Sequence, residues 1–233
     1  MRIAIISDIH SNLQALEAVL QKIYSSDVHA IYCLGDVVGY GADPDSCVSL
    51  VRERCSLTVV GNHDRAVAIE EGLDYLPGTG REAAIHNRAK LSDDNRDFLA
   101  ALPLVLIEKD CTLVHASPET PDRWLRINSF VTGNTQFGHF STDICFVGHT
   151  HSPAVMSDSI GVSQVRRGHR FLINVGSVGQ PRDGDARASF GLFDSESFDY
   201  QLVRQDYDIE TARARILEEG LPQRLADRLV VGR

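Results

Sequence analysis

The chain has 233 residues, of which 43% are hydrophobic, so it contains enough apolar material for a substantial core. Asp and Glu number 32 against 23 Lys and Arg, which gives a formal net charge of -9. An acidic surface repels long polyanions, and the composition therefore argues against binding of extended nucleic acid. A small phosphorylated ligand stays compatible with this charge, because bound divalent metals would reverse its sign locally.

The five cysteines form no Cys-x-x-Cys pair and are odd in number, so we expect reduced thiols in the core. The N-terminus reads as a strand without a basic segment followed by an apolar one, and no apolar run approaches the length of a membrane span. We therefore expect a cytoplasmic protein that does not bind membranes. No internal repeat or low-complexity tract is visible, and we expect one domain over residues 1–233. The oligomeric state stays open, a homo-oligomer included.

Strand and helix patterns alternate in the first sixty residues. Strands are predicted over 2–7, 30–34 and 57–60. Helices are predicted from Leu13 to about Tyr24, after a cap at Ser11 or Asn12, and from the Asp43-Pro44 pair onward. This order, with short connections, predicts parallel strands in an α/β fold.

The composition changes over residues 65–102, where Ala, Glu, Asp and Arg dominate. We predict a helical segment lying over the strand ends, with helices near 79–91 and 93–101. From residue 104 onward short strands return, and their turns favour a more antiparallel half. An exposed helix is predicted over 208–219, and 221–231 is a candidate for another.

Metal-binding side chains follow five of the short apolar runs. Apart from Asp64, they offer two carboxylates, one carboxamide and five imidazoles, about what two octahedral ions need when water fills the other positions. The carboxyl ends of parallel strands meet at one edge of a sheet, so these side chains should converge. The five segments are Asp8-Ile9-His10, Gly35-Asp36, Gly61-Asn62-His63-Asp64, Val114-His115 and Gly148-His149-Thr150-His151.

Each segment alone has an ordinary structural explanation. His115 could be a structural histidine, and His149 and His151 alternate as a pair on one face of a strand would. Gly-Asn-His could be a simple turn. Only their joint occurrence favours a metal centre. Trp124 could stack on a nucleobase or pack as a common aromatic side chain.

The five segments, in this order, resemble the calcineurin-like metallophosphoesterase superfamily over roughly residues 1–183. The later stretch from Asn174 to Arg182 is similar to the Gly-Ser turn of its small prokaryotic phosphodiesterase branch. The resemblance implies an α/β fold, a four-layer αββα sandwich of two mixed sheets flanked by helices. It also implies a small helical lid at about 65–102.

The resemblance further implies a dinuclear site in which a hydroxide shared by the metals attacks phosphorus. His63 would be catalytic, protonating the leaving oxygen or steadying the phosphate, and Asn62, His63 and Arg182 would contact the substrate. Adjacent side chains of an extended segment diverge, which agrees with only Asn62 of this pair being a ligand. The implied ligands are Asp8, His10 and His151 for one ion, Asn62, His115 and His149 for the other, and Asp36 as the bridge.

The ligand types suit manganese, which we expect, or iron, zinc, nickel or cobalt. The substrate is expected to be a small phosphodiester, phosphomonoester or dinucleoside polyphosphate. A protein serine/threonine phosphatase is one alternative, but in that branch an Asp-Arg pair follows the bridging Asp. Here those positions are Gly39 and Tyr40, which leaves the orienting partner of His63 unidentified. A non-catalytic scaffold of the same fold is the other alternative, although all ligands and His63 are present.

Overall fold

The computed structural model describes residues 1–233, and its ten strands form two mixed sheets of five strands each. The strands are β1 (Arg2–Ile6), β2 (Ala30–Cys33), β3 (Leu57–Thr58), β4 (Val105–Glu108), β5 (Cys111–Val114), β6 (Ile144–Val147), β7 (Ala154–Ser157), β8 (Phe171–Asn174), β9 (Ala188–Asp194) and β10 (Asp199–Gln205). The helices are α1 (Leu13–Tyr24), α2 (Pro44–Arg54), α3 (Asn62–Ile69), α4 (Gly78–Lys90), α5 (Asp93–Ala101), α6 (Phe130–Gln136), α7 (Ile209–Glu218) and α8 (Gln223–Val231).

The first sheet has the order β10-β9-β1-β2-β3, and the second has the order β4-β5-β6-β8-β7. Three strands of each sheet are parallel: β1, β2 and β3 in the first, and β5, β6 and β8 in the second. Antiparallel strands complete both sheets. None of the helices is both long and apolar enough to cross a lipid bilayer.

Strand side chains alternate between two apolar layers, as the pleat of a strand requires. Ile3 and Ile5 of β1 pack in the interior between the sheets with Phe146 of β6. Ala4 and Ile6, the intervening residues, pack instead in a cluster with the helices of the first half. The outer face of the second sheet packs with residues around α6. The predicted sandwich of two mixed sheets flanked by helices is thereby confirmed.

The second half is more antiparallel than the first, as expected, but not throughout. Strands β4, β7, β9 and β10 pair antiparallel, whereas the centre of the second sheet, β5-β6-β8, is parallel. Strands β9 and β10 leave this half and extend the first sheet beside β1. Helix α6, seven residues long, was not predicted because so short a helix carries almost no periodic signal.

The C-terminal helices are more buried than predicted. Ala212 and Ile216 of α7 pack with Leu225 and Leu229 of α8 in a separate apolar cluster. That cluster includes Tyr40, which follows β2 on the side of the predicted metal ligands. The chain end therefore supports one of the loops at the site.

Most of the segment over residues 65–102 belongs to the helical layer of the fold. Ala84 of α4 and Leu99 of α5 are buried in the cluster with the first sheet. Asn87 of α4 is fully buried, and its carboxamide joins two loops that follow strands. It accepts hydrogen bonds from Ser11 Oγ (2.8 Å) and Gly39 N (2.6 Å), and donates one to Gly41 O (2.9 Å).

We predict that Asn87→Ala lowers the free energy of unfolding by about 3 kcal/mol, because it leaves buried donors and an acceptor without partners. Urea denaturation of the metal-stripped protein measures this. Glu82→Ala, an exposed change on the same helix, is the control and should shift stability by no more than about 0.5 kcal/mol. Equal effects of the two variants would contradict a structural role for the Asn87 carboxamide.

Candidate metal centre

The predicted ligands lie on loops at the carboxyl ends of neighbouring strands. Asp8 and His10 follow β1, Asp36 follows β2, and His115 follows β5. The loop after β6 carries His149 and His151, and Asn62 begins α3. All but Asn62 are buried.

Donor atoms of these residues form three groups in which all atoms lie within 4.8 Å of one another. Two groups match the implied ion sites, and the third brings His63 into contact with both. The groups are Asp8 with His10 and His151, Asp36 with His115 and His149, and His10 with Asp36 and His63.

Backbone carbonyls fix three of the imidazole rings. His10 Nδ1 lies 2.9 Å from Val38 O, and His115 Nδ1 lies 2.8 Å from Leu34 O. These carbonyls can only accept, so each Nδ1 carries a proton and Nε2 is the nitrogen that faces the site. His151 is held in the same way, 2.6 Å from Gln180 O. This tautomer is the one a metal ligand needs.

Asp8 is held by one carboxylate oxygen and leaves the other free. Its Oδ2 accepts hydrogen bonds from Ser7 Oγ (2.7 Å) and His149 N (2.9 Å). Its Oδ1 is buried without a hydrogen-bond partner and lies 3.2 Å from His151 Nε2. The free oxygen therefore faces the same space as the imidazole nitrogen.

Asp36, like Asp8, has one oxygen engaged by the protein, and it lies between the two groups of donor atoms that match the implied ion sites. Its Oδ1 accepts a hydrogen bond from His63 N at 2.8 Å. Its Oδ2 lies 3.3 Å from His115 Nε2 on one side and 3.7 Å from His10 Nε2 on the other. A single carboxylate is thus within reach of both candidate ion sites.

Burial and neighbouring charged groups shift the pKa values of the histidines and aspartates in the site. Burial lowers the pKa of His149 to about 3 and that of His151 to about 4, so both rings are neutral at neutral pH. Burial also acts to lower the pKa of His115, but the Asp36 carboxylate outweighs it and raises that pKa to about 9. Conversely, His115 and then His63 hold the pKa of Asp36 below its usual range although burial opposes ionisation.

The orphaned atoms fit divalent cations. His10 Nε2 and His151 Nε2 lie 3.1 Å apart, and with both Nδ1 atoms protonated two lone pairs face each other. Asn62 Oδ1 and His115 Nε2 are buried without hydrogen-bond partners, as is Asp8 Oδ1. Buried atoms of this kind are costly unless a positive charge satisfies them. Mixed nitrogen and oxygen donors suit manganese, iron, zinc, nickel or cobalt.

The backbone turns sharply at the ligand positions. Left-handed φ angles near 50–63° occur at five of the seven predicted ligands, which is uncommon for residues other than glycine. Residue 148 must be a glycine because its loop packs closely against the residues that follow β1. A Cβ at Gly148 would lie 2.0 Å from Ser7 Oγ and 2.5 Å from Asp8 Oδ2. The five ligands are Asp8, His10, Asp36, His149 and His151. The alternating His149 and His151 therefore lie on a loop and do not form a pair on a strand.

His63 has an aromatic environment and no acidic partner. It lies in the first turn of α3, so the expectation that Asn62 and His63 occupy an extended segment was wrong, although their side chains still diverge by the helical rotation. The ring packs against Tyr40, with centroids 4.5 Å apart, and Nδ1 has no hydrogen-bond partner. A Cβ on Gly39 would lie 2.5 Å from Nδ1, so an acidic side chain cannot occupy that position without moving His63.

Asp64 belongs to one of the five sequence segments, but no role was predicted for it. Its Oδ1 accepts from Val37 N (2.8 Å) and Val38 N (3.2 Å), and its Oδ2 accepts from Gly61 N (3.0 Å). The carboxylate therefore joins the loop that carries Asp36 to the start of α3. Its position two residues after Asn62 in the Gly-Asn-His-Asp segment is the signal that would have found it.

A cleft of about 500 Å³ opens over the candidate metal ligands. Arg182 lines it and stacks over the Tyr40 ring at 5.5 Å, while its guanidinium donates to Gln180 Oε1. Trp124 lines it as well, 6.0 Å from the His115 ring.

The far side of this cleft is formed by the segment before α4, which includes Tyr75. His86 and Arg88 of α4 do not line the cleft. His86 contacts Glu219, and Arg88 donates to the carbonyls of Val67 and Ala68.

A calcineurin-like phosphoesterase superfamily domain matches residues 1–197, so the chain belongs to this superfamily and is a hydrolytic phosphoesterase. The crystal structure of a metallophosphoesterase from Sphaerobacter thermophilus is 38% identical, with a TM-score of 0.89. That comparison covers 100% of this chain and 99% of the other.

Two further relatives are similar in sequence along most of the chain. The uncharacterized protein MJ0912 of Methanocaldococcus jannaschii is 42% identical, over 99% of this chain and 98% of the relative. Phosphodiesterase YfcE of Escherichia coli K12 is 28% identical, over 84% of this chain and 89% of the relative. The chain is thus similar to small prokaryotic members of the superfamily.

Asp36→Asn should weaken binding at both candidate ion sites, because Asp36 Oδ2 is the one donor atom within reach of both. The amide oxygen can still accept from His63 N, so the fold should persist, as circular dichroism would check. The number of metal ions bound per protein molecule is measured after dialysis. Asp8→Asn is the matched control and should weaken the site of His10 and His151 alone. Selective loss of one ion in Asp36→Asn would contradict the bridge.

Proposed function

We propose that the protein is a dinuclear metal-dependent phosphoesterase that hydrolyses small phosphodiesters. The observation that carries this proposal is the fixed orientation of the ligands, with Nδ1 of three histidines and one oxygen of each carboxylate held by the surrounding protein. The remaining donor atoms converge on two neighbouring points, and several of them are buried without hydrogen-bond partners. Manganese is the metal we expect, with iron, zinc, nickel and cobalt as alternatives of similar ligand preference.

The residues divide into ligands and substrate contacts. Two bound ions would supply an acidified water as the nucleophile and would neutralise charge on the phosphate oxygens. His63 lines the cleft beside the ligands and would donate a proton to the leaving oxygen or hold the phosphate. Arg182, fixed by Gln180 and Tyr40, would bind a phosphate oxygen. Asn62 would contact both a metal and the substrate.

A small diester is the substrate class that we favour. The relative from Escherichia coli carries the name phosphodiesterase, and the cleft of about 500 Å³ has the size of a small-molecule site. Phosphomonoesters and dinucleoside polyphosphates stay within the proposal as further candidates. A protein phosphatase is disfavoured because Gly39 and Tyr40 replace the acid and the arginine of that branch, and Gly39 has no room for an acidic side chain.

Metal-stripped protein reloaded with single divalent metals tests the proposal. The assay compares p-nitrophenyl phosphate, its bis ester, diadenosine tetraphosphate and a phosphoserine peptide. We expect turnover to depend on the metal, with the bis ester preferred to the peptide. Preference for the peptide would favour a protein phosphatase, and no turnover with any metal would favour a non-catalytic scaffold.

His63→Ala should lower kcat on the bis ester about 10²- to 10⁴-fold, the usual contribution of a positioned proton donor. Metal content should stay at the wild-type value, because His63 is proposed not to be a required ligand. His86→Ala, a histidine outside the cleft, is the control and should leave kcat unchanged. Loss of metal from His63→Ala would make the residue a ligand and would overturn this assignment.

A further inference from the structure

A second cavity of about 500 Å³ adjoins the cleft over the candidate metal ligands. One wall is apolar and is formed by Ile127, Phe130 and Met156. Phe130, at the start of α6, is 64% exposed, so its ring lies open to this space. Asn128 also lines the cavity and is exposed, so its carboxamide offers a polar edge. The lining thus combines an apolar wall with a polar edge.

The two cavities are continuous through a pair of arginines. Arg126 and Arg182 line both of them. The loop after β6 lies between the two cavities. Its residues His149 and His151 line the cleft, whereas Thr150 lines the second cavity. In a chain of net charge -9, two guanidinium groups at this junction favour a phosphate group lying between the cavities.

The position of His63 decides which part of a diester would enter the second cavity. His63 lines the cleft and does not line the second cavity. A group that gives a proton to the leaving oxygen must lie within hydrogen-bond reach of it. The leaving ester group is therefore on the side of His63, and the ester group that stays on phosphorus is on the side of Arg126.

We propose that the second cavity is a specificity site for the retained ester group of a phosphodiester, and that it takes a flat aromatic group with polar edges, such as a nucleoside. This proposal rests on the proposed function and adds the substrate class. The aromatic face would pack on Phe130 and Ile127, and the polar edge would reach Asn128. A volume of about 500 Å³ lies in the range of small-molecule sites.

Two esters with the same leaving group test the proposed specificity site. They are the p-nitrophenyl ester of thymidine 5′-phosphate and methyl p-nitrophenyl phosphate. Both retained groups are alkyl esters, so their intrinsic reactivity is closely matched. We expect kcat/KM of the metal-loaded protein to be at least about tenfold higher for the thymidine ester, since only that group buries apolar surface. Phe130→Ala should reduce this preference about fivefold and leave the methyl ester unaffected.

Val131→Ala is the matched control, because Val131 neighbours Phe130 on α6 and is 73% exposed but does not line the cavity. It should keep the wild-type preference. Equal kcat/KM for the two esters in the wild type, or equal preferences in Phe130→Ala and Val131→Ala, would overturn the specificity site and leave the proposed function intact. Failure to hydrolyse either ester would overturn the diesterase function and the specificity site together.

Discussion

The site depends on one constraint, which is that five of the seven ligands have one polar side-chain atom engaged by the protein and the other left free. A backbone carbonyl holds Nδ1 of three histidines, and backbone or hydroxyl donors hold one oxygen of each aspartate. The free atoms have no freedom to turn toward other partners. Because they are buried, their desolvation is unfavourable unless cations occupy the space between them. Metal binding and folding are therefore expected to be coupled here.

This arrangement requires a strained backbone. Left-handed φ angles at five ligands cost of order 1 kcal/mol or more each, so the surrounding structure must hold them. Asn87 and Asp64 supply part of that support, because their buried side chains accept hydrogen bonds from the backbone of the loop after β2. Asn87 also accepts one from the hydroxyl of Ser11 in the loop after β1. Helices α7 and α8 pack beneath Tyr40 and support the same region from outside. The helical layer thus serves the site as well as the core.

The sequence predicted those features that depend on local pattern. Apolar runs, helical periodicity and the Asp43-Pro44 cap define β1 to α2 because neighbouring residues determine them. The pairing of β9 with β1 is a contact between the two ends of the fold, and no local pattern encodes it. The left-handed conformation of the ligands was likewise not predicted, since Asp and His adopt it more often than most residues but still too seldom for it to be assigned from sequence. No role was predicted for Asp64 because two of its partners, Val37 N and Val38 N, belong to a distant loop.

The departure at Gly39 and Tyr40 has a structural basis that the sequence alone did not supply. Where an acid would orient the histidine, His63 Nδ1 meets the backbone of Gly39 at a distance that excludes any side chain. The ring is held instead by Tyr40, which also packs against His10 and lies under Arg182 and Arg228. An aromatic contact fixes the ring plane but exerts no pull on its proton, unlike a carboxylate. Contact with Gly39 and Tyr40 therefore orients His63 sterically, where a carboxylate would orient it electrostatically.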